Sequence, residues 1–192
     1  MLQKKIAYKI KTTDLEKLFS LIRQDDDVQQ IRYFTARTGS ADQELYLRAL
    51  EAISTRLRVE LGLFKSKKVK CRVSGCSFSD VREFQMQEEK GTDVNIALRM
   101  LDDAYQGLCD RMVLVSGDSD LVPAVRLVKQ RFPKIKITVY VPARDLIRGA
   151  ARELRRAADK HITLPFDKLS KAQLPKRVET KDGQIILKPT SW

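Results

Sequence analysis

Val113-Leu114-Val115-Ser116-Gly117-Asp118-Ser119-Asp120-Leu121-Val122-Pro123 is the stretch that decides the fold. Met112 to Val115 is a short uninterrupted apolar run, the pattern of a parallel strand buried on both faces. Ser116-Gly117 turns the chain, and Asp118 and Asp120 follow at the strand's carboxyl end. A helix is expected to begin near Leu121, with Pro123 in its first turn, where a missing N–H costs nothing. In open α/β sheets this edge is where ligands sit. Two carboxylates on so short a turn cannot both be buried without a cation or hydrogen-bond donors. Capping is the competing use: Asp120 is a good helix N-cap, and Ser-Gly-Asp-Ser is good turn chemistry.

Outward from this turn, apolar spacing predicts alternating helices and strands. Leu15, Leu18, Phe19 and Ile22 predict a helix over 14–23, capped by Thr13 or Asp14. Ile31 to Ala36 reads as a strand. Tyr46, Ala49, Leu50, Ile53 and Leu57 mark an amphipathic helix over 42–57, and Val59 to Phe64 a second strand interrupted by Gly62. Residues 65–89 read as a basic hairpin excursion. Val94, Ala97, Leu98, Leu101 and Tyr105 predict a helix over 93–106 with a broad apolar face. A helix over 120–131, a strand over 135–141, an Arg-rich helix over 144–158 and a last strand over 162–164 complete the pattern. Such alternation implies a parallel sheet covered on both faces. Residues 166–192, rich in Lys, Pro and polar groups, read as a loosely attached basic tail.

Hydrophobic residues make up 43% of the 192, enough for a core in one domain. No apolar run approaches the ~20 residues of a membrane span, and the charged N-terminus does not read as a secretory signal. Cys71, Cys76 and Cys109 without a signal point to a reducing, cytoplasmic setting. A structural zinc would need all three together with His161, the only histidine, and Cys109 lies far along the chain from the Cys71-x4-Cys76 pair, which argues against one. The net charge of +12 and pI near 9.7 suit a polyanionic partner or a solvated basic surface.

A second acidic motif, Glu88-Glu-Lys-Gly-Thr-Asp93-Val-Asn95, precedes the helix of 93–106. Asp93 falls at the helix start, where the dipole favours a carboxylate by ~0.3–1 kcal/mol. Capping by Asp93, shared with Thr92, is the competing reading. If both loops converge on one sheet edge, three carboxylates meet there, and oxygen-rich clusters suit hard cations such as Mg2+ or Mn2+.

Glu89-Lys-Gly-Thr-Asp-Val-Asn-Ile-Ala97, followed by Val113-Leu-Val-Ser-Gly-Asp-Ser-Asp120, resembles the paired signature of the NYN domain, a PIN-like nuclease family. Tyr33-Phe-Thr-Ala-Arg37, Tyr46-Leu-Arg-Ala-Leu50 and Arg152-Glu-Leu-Arg-Arg-Ala-Ala-Asp159 resemble its second strand, following helix and closing helix. The resemblance implies a Rossmann-like PIN-type fold over residues 1–165 and metal-dependent ribonuclease activity. By position, Asp93, Asp118 and Asp120 would be the catalytic, metal-holding carboxylates, Ser116 and Asn95 supporting polar groups, and Lys90 a phosphate contact. Ser116 and Asn95 are explained equally well as turn and helix-start residues.

The family's opening strand, ending in an Asp-Gly-x-Asn type motif, has no counterpart here. Ile6-Ala-Tyr-Lys-Ile10 alternates but carries no acid. The expectation is a sheet lacking its first central strand, from a start lying downstream of the native one or from a shortened form with impaired catalysis. Lys65, Lys67, Lys68 and Lys70, with Arg37, are candidate RNA contacts, and the Arg-rich late helix offers a further basic face. A catalytically impaired RNA-binding or protein-interaction module of the same fold is the alternative function. A small-phosphoester hydrolase is a weaker third, since neither a Gly-rich phosphate cradle nor a nucleophile motif is present.

Overall fold

Helices and short strands follow one another as the apolar spacing requires, and the computed structural model describes residues 12–71, 83–142 and 151–190. In chain order these hold α1 (Leu15–Ile22), β1 (Ile31–Ala36), α2 (Ala41–Ile53), β2 (Leu57–Lys70), β3 (Glu83–Lys90), α3 (Thr92–Tyr105) and β4 (Arg111–Val115). A 3-10 turn (Ser119–Leu121) leads into α4 (Val122–Arg131). Then come β5 (Lys136–Val141), α5 (Ala151–Ala157), β6 (Lys160–Thr163), α6 (Phe166–Lys171), β7 (Arg177–Glu179) and β8 (Ile185–Leu187). The fold is mixed α/β with parallel sheets flanked by helices. Of the Arg-rich helix expected over 144–158, residues 144–150, with Arg144 and Arg148, lie outside the described residues, as does Cys76.

Among the described residues the strands form two three-stranded sheets, β1-β2-β3 and β4-β5-β6, and a small β7-β8 hairpin. β1 runs parallel to β2, with Ala36 opposite Gly62. β4, β5 and β6 are all parallel. β2 continues past the sheet and pairs antiparallel with β3 from Leu63↔Lys90 to Lys70↔Glu83, forming the expected basic hairpin. β2 is therefore longer than the strand expected over 59–64, because its outer half is held by β3 rather than by the core.

Residues 1–11, where the opening strand of the family would have to lie, are outside the described residues. β1 and β4 are each hydrogen-bonded to a strand on one side only among the described residues. β4 is accordingly not buried on both faces as its sequence suggested: Met112, Val113 and Leu114 are half-buried and Val115 is 38% exposed.

Three apolar clusters hold the elements together. Met100 and Ala104 of α3 pack with Val125 and Val128 of α4, Ile137 and Val139 of β5, and Leu154 of α5. On the other face, Leu18 of α1 packs with Tyr140, Leu164, Leu169 and Ala172. Ile31, Tyr46, Leu50 and Leu57 make the third, against Leu174, Val178 and Ile186. The core face of α3 is thus centred on Ile96, Ala97, Met100, Leu101 and Ala104. Val94, Leu98 and Tyr105, expected on that face, are 61, 58 and 71% exposed. An apolar stripe wider than the core can cover leaves its flank in water.

The segment after Pro165 is not a loose tail. Leu169, Ala172, Leu174, Val178 and Ile186 are buried. The Leu174 amide donates to the Thr12 carbonyl (2.9 Å), and the Asp14 amide to the Ala172 carbonyl (2.9 Å). Polar composition concealed single apolar residues spaced widely enough to anchor it.

Candidate active site at the carboxyl edge

β4 delivers its acids through two nested turns. Ser116 Oγ accepts from the Asp118 amide (3.0 Å), and Asp118 Oδ1 accepts from the Asp120 amide (2.9 Å). Asp118, not Asp120, therefore caps the 3-10 turn, and Pro123 sits in the first turn of α4 as expected. Ser116 serves as the turn residue, and its own amide donates to the Tyr140 carbonyl (3.1 Å). Asp118 and Asp120 are exposed.

The second motif forms a sharp junction between β3 and α3. Gly91 is the N-cap of α3, at φ 85°, in the left-handed region that glycine adopts without steric cost. The Asn95 amide donates to the Gly91 carbonyl (2.8 Å). Neither Asp93 nor Thr92 caps the helix; the Thr92 hydroxyl instead donates to Glu89 Oε1 (2.5 Å). Half-buried Asp93 is left in the first turn with its carboxylate free of a capping bond.

Three contacts bring the loops to one edge. Ala36, the last residue of β1, lies opposite Gly62 of β2. Gly62 abuts Lys90 and Thr92, at the junction into α3. α4 and the 3-10 turn that follows β4 both pack against α3. The electrostatics agree: Asp93 is pushed above the usual carboxylate range, first by burial and then by the charges of Asp118, Asp120 and Glu89. Acids about 25 residues apart in the chain thus act on one another through space. Their side chains do not form a tight cage. Among the described residues, no three His, Cys, Asp or Glu groups are gathered closely enough to hold one metal ion.

Charge also fixes how α3 sits. Arg32 Nη2 of β1 bonds Asp103 Oδ1 of α3 (2.8 Å), and its Nη1 bonds Glu60 Oε1 of β2 (3.2 Å); Arg99 Nε reaches the same Glu60 oxygen (3.3 Å). With side-chain exposures of 17, 21 and 24%, Arg32, Glu60 and Asp103 are poorly solvated, so this network orients the helix that carries Asp93. Nothing in the linear pattern signalled it. Glu89 was missed as a neighbour of Asp93 because its role depends on the Gly91 turn.

The hairpin is less basic than its lysine run suggests. Glu88 pairs with Lys90 (2.9 Å) and Lys67 (3.8 Å), and Glu83 with Lys70 (3.4 Å). The Lys90 hydrogen bond, with Lys67 nearby, holds the Glu88 carboxyl below its usual range. Lys65 and Lys68 have no ion pair among the described residues. Arg37, just past β1, pairs loosely with Glu44 (3.4 Å).

The chain is similar to the 6-hydroxy-3-succinoylpyridine 3-monooxygenase HspA of Pseudomonas putida (strain DSM 28022 / S16), 31% identical over 181 residues, covering 84% of this chain and 57% of that protein. The chain thus spans little more than half the length of this curated relative. No solved structure matches. The NYN domain profile matches residues 3–165, from before α1 to the end of β6, and takes in both acidic loops. A mixed α/β fold with helix-flanked parallel sheets is consistent with that match, and this chain belongs to the NYN domain family of PIN-like proteins.

Proposed function

We propose that the chain is a metal-dependent ribonuclease, hydrolysing RNA phosphodiesters within the strand at the edge where Asp93 meets Asp118 and Asp120. The observation that carries this reading is the packing of the 3-10 turn that holds Asp120, and that Asp118 caps, on α3, the helix whose first turn holds Asp93; burial, and then the charges of Asp118, Asp120 and Glu89, push Asp93 above its usual range. Such a cluster favours a cation that relieves it. NYN and PIN-like nucleases are generally dependent on divalent metals. The donor set here, carboxylate oxygens, has the chemistry for Mg2+ or Mn2+. Mg2+ is commonly held through one or two carboxylates, with waters and substrate phosphates completing the shell. The looseness of the cluster therefore fits a partly hydrated ion.

One or two of Asp93, Asp118 and Asp120 would hold the ion directly and the rest through its bound waters. When bound, it supplies a water of lowered pKa and charge neutralisation at the phosphate. Asp118 and Ser116 keep the turn rigid by their nested bonds to backbone amides. Asn95, one turn into α3, would orient a substrate oxygen. Lys90, with Lys65, Lys67, Lys68, Lys70 and Arg37, would meet the RNA backbone, Lys65 and Lys68 most strongly because glutamates do not neutralise them. Incubating labelled single-stranded RNA with the chain and Mg2+ or Mn2+, with and without chelator, tests the reading. Metal-dependent cleavage that Asp118→Asn abolishes is expected; folded protein without such cleavage would end it.

A non-catalytic RNA- or protein-binding module is the second reading, favoured by the absence of a three-acid cage and of a strand pairing β1 with β4 among the described residues. There Asp118→Asn leaves RNA affinity unchanged or raises it, and no cleavage appears with either protein. The relative's name assigns it an oxygenation of a hydroxypyridine. Oxygen uptake with such a substrate, and none with RNA, would move the assignment to that chemistry.

A further inference from the structure

Seven of the surplus of twelve positive charges come from two segments away from the acidic turns. Residues 126–136 and 152–161 hold nine Lys and Arg against two acids. These segments pack together through α4 with α5 and β5 with β6. Both acids are occupied. Glu153 pairs with Arg156 (3.3 Å) and Arg126 (3.9 Å). Asp159 accepts from Lys129 (3.1 Å) and from the Ile137 amide (2.8 Å). Arg131, Lys134, Lys136, Arg152 and Lys160 have no ion pair among the described residues and are exposed. Asp110, whose carbonyl accepts the Lys136 amide (3.0 Å), flanks them.

Topology puts these cations at the opposite end of the sheet from the acids. Lys136 and Lys160 open β5 and β6, and Arg131 ends α4. α4 begins at the acidic turn and is ten residues long, so its far end lies about 15 Å away at 1.5 Å per residue. α5 packs on both α4 and the 3-10 turn. Arg126 and Arg152 thus stand along the way from the acids to Arg131, Lys134, Lys136 and Lys160.

We propose that this amino edge, with the α4–α5 face leading to it, docks the phosphate backbone of single-stranded RNA and anchors a strand whose scissile bond lies at the acidic edge. That the polyanion is RNA rests on the ribonuclease reading. The surface itself rests on charge placement. A strand must span roughly 15 Å to engage both ends, so affinity should rise with length.

The test is fluorescence anisotropy of labelled oligouridylates of about 3 and about 15 nucleotides, in EDTA, across a salt series. Wild type should bind the longer strand at least about tenfold tighter. The variant Lys134→Gln, Lys136→Gln, Lys160→Gln should lose that gain and leave the short strand unaffected. Its log K against log salt slope should fall by about 2, three contacts at roughly 0.7 each on single strands. Arg131→Gln with Arg152→Gln repeats the test on the helices, should the strand-end variant fold poorly. No binding of the longer strand by wild type, or an unchanged slope in folded variants, overturns the proposal. So does loss of binding to anionic lipid vesicles with RNA affinity intact. Cleavage is silent in EDTA, so failure of metal-dependent hydrolysis would sink the nuclease reading and leave this result standing.

Discussion

Gly62 lies so close to Thr92 that a Cβ at position 62 would stand 2.6 Å from the Thr92 hydroxyl oxygen and 3.1 Å from the Lys90 carbonyl. Thr92 in turn holds Glu89, and the next residue is Asp93. The end of the β1–β2 sheet thereby sets where α3 begins, and with it where the second acidic loop points.

Gly62→Ala should push Thr92 and the Gly91 turn away. Because the Lys90 carbonyl is backbone and cannot rotate aside, the expected cost is about 1–3 kcal/mol, read as a lower midpoint in urea unfolding. RNA cleavage should fall further than stability, since Asp93 moves with the turn.

Asp93→Asn should raise stability at neutral pH. The folded-state carboxyl is raised by burial and by Asp118, Asp120 and Glu89. Its stabilising contribution is therefore complete below the ordinary carboxylate pKa and is lost as pH rises through the folded value. At pH 7 wild type carries the full repulsion and the asparagine variant does not. Thermal unfolding at pH 7 and pH 3 should show a higher Tm for the variant at pH 7 and a smaller difference at pH 3.

Arg32→Ala removes the guanidinium shared by Glu60 and Asp103. Both acids are about a fifth exposed, so some water reaches them, and the expected loss is about 1–3 kcal/mol. Arg32→Lys should recover only part of it, because an ammonium lacks the planar fork that bridges two carboxylates. Denaturant midpoints of the three proteins check the order.

Leu174→Ala should cost about 2–5 kcal/mol, because Leu174 is buried with Ile31, Leu50 and Leu57. A loosely attached tail would predict almost none. Chemical denaturation of the single variant separates the two.

Much of this was legible in the sequence because it is local. The Val113–Pro123 stretch showed strand, turn, acids and helix start in order, and the Lys65 to Glu89 hairpin followed from its basic run and the Ser74-Gly75 turn signal. What was not legible depends on distance. Which acid caps, Asp118 or Asp120, is decided by one amide bond, and both satisfy the same composition rule. The buried face of α3 is set by α4, so Val94 and Leu98 looked as apolar as Met100 and Ala104. The role of Arg32 needs three elements to be placed before it exists, and the burial of Leu174 needs the fold of α2 and β1.

Metal-dependent chemistry at this edge requires Asp93 and the Asp118–Asp120 turn to share one cation. Mn2+ titration followed by NMR tests this directly, since a paramagnetic ion broadens amide signals only near its site. Broadening of residues 91–95 and 116–120 together, at the same substoichiometric Mn2+ and reversed by chelator, is the predicted result. Broadening confined to one of the two loops, or to neither, would contradict it.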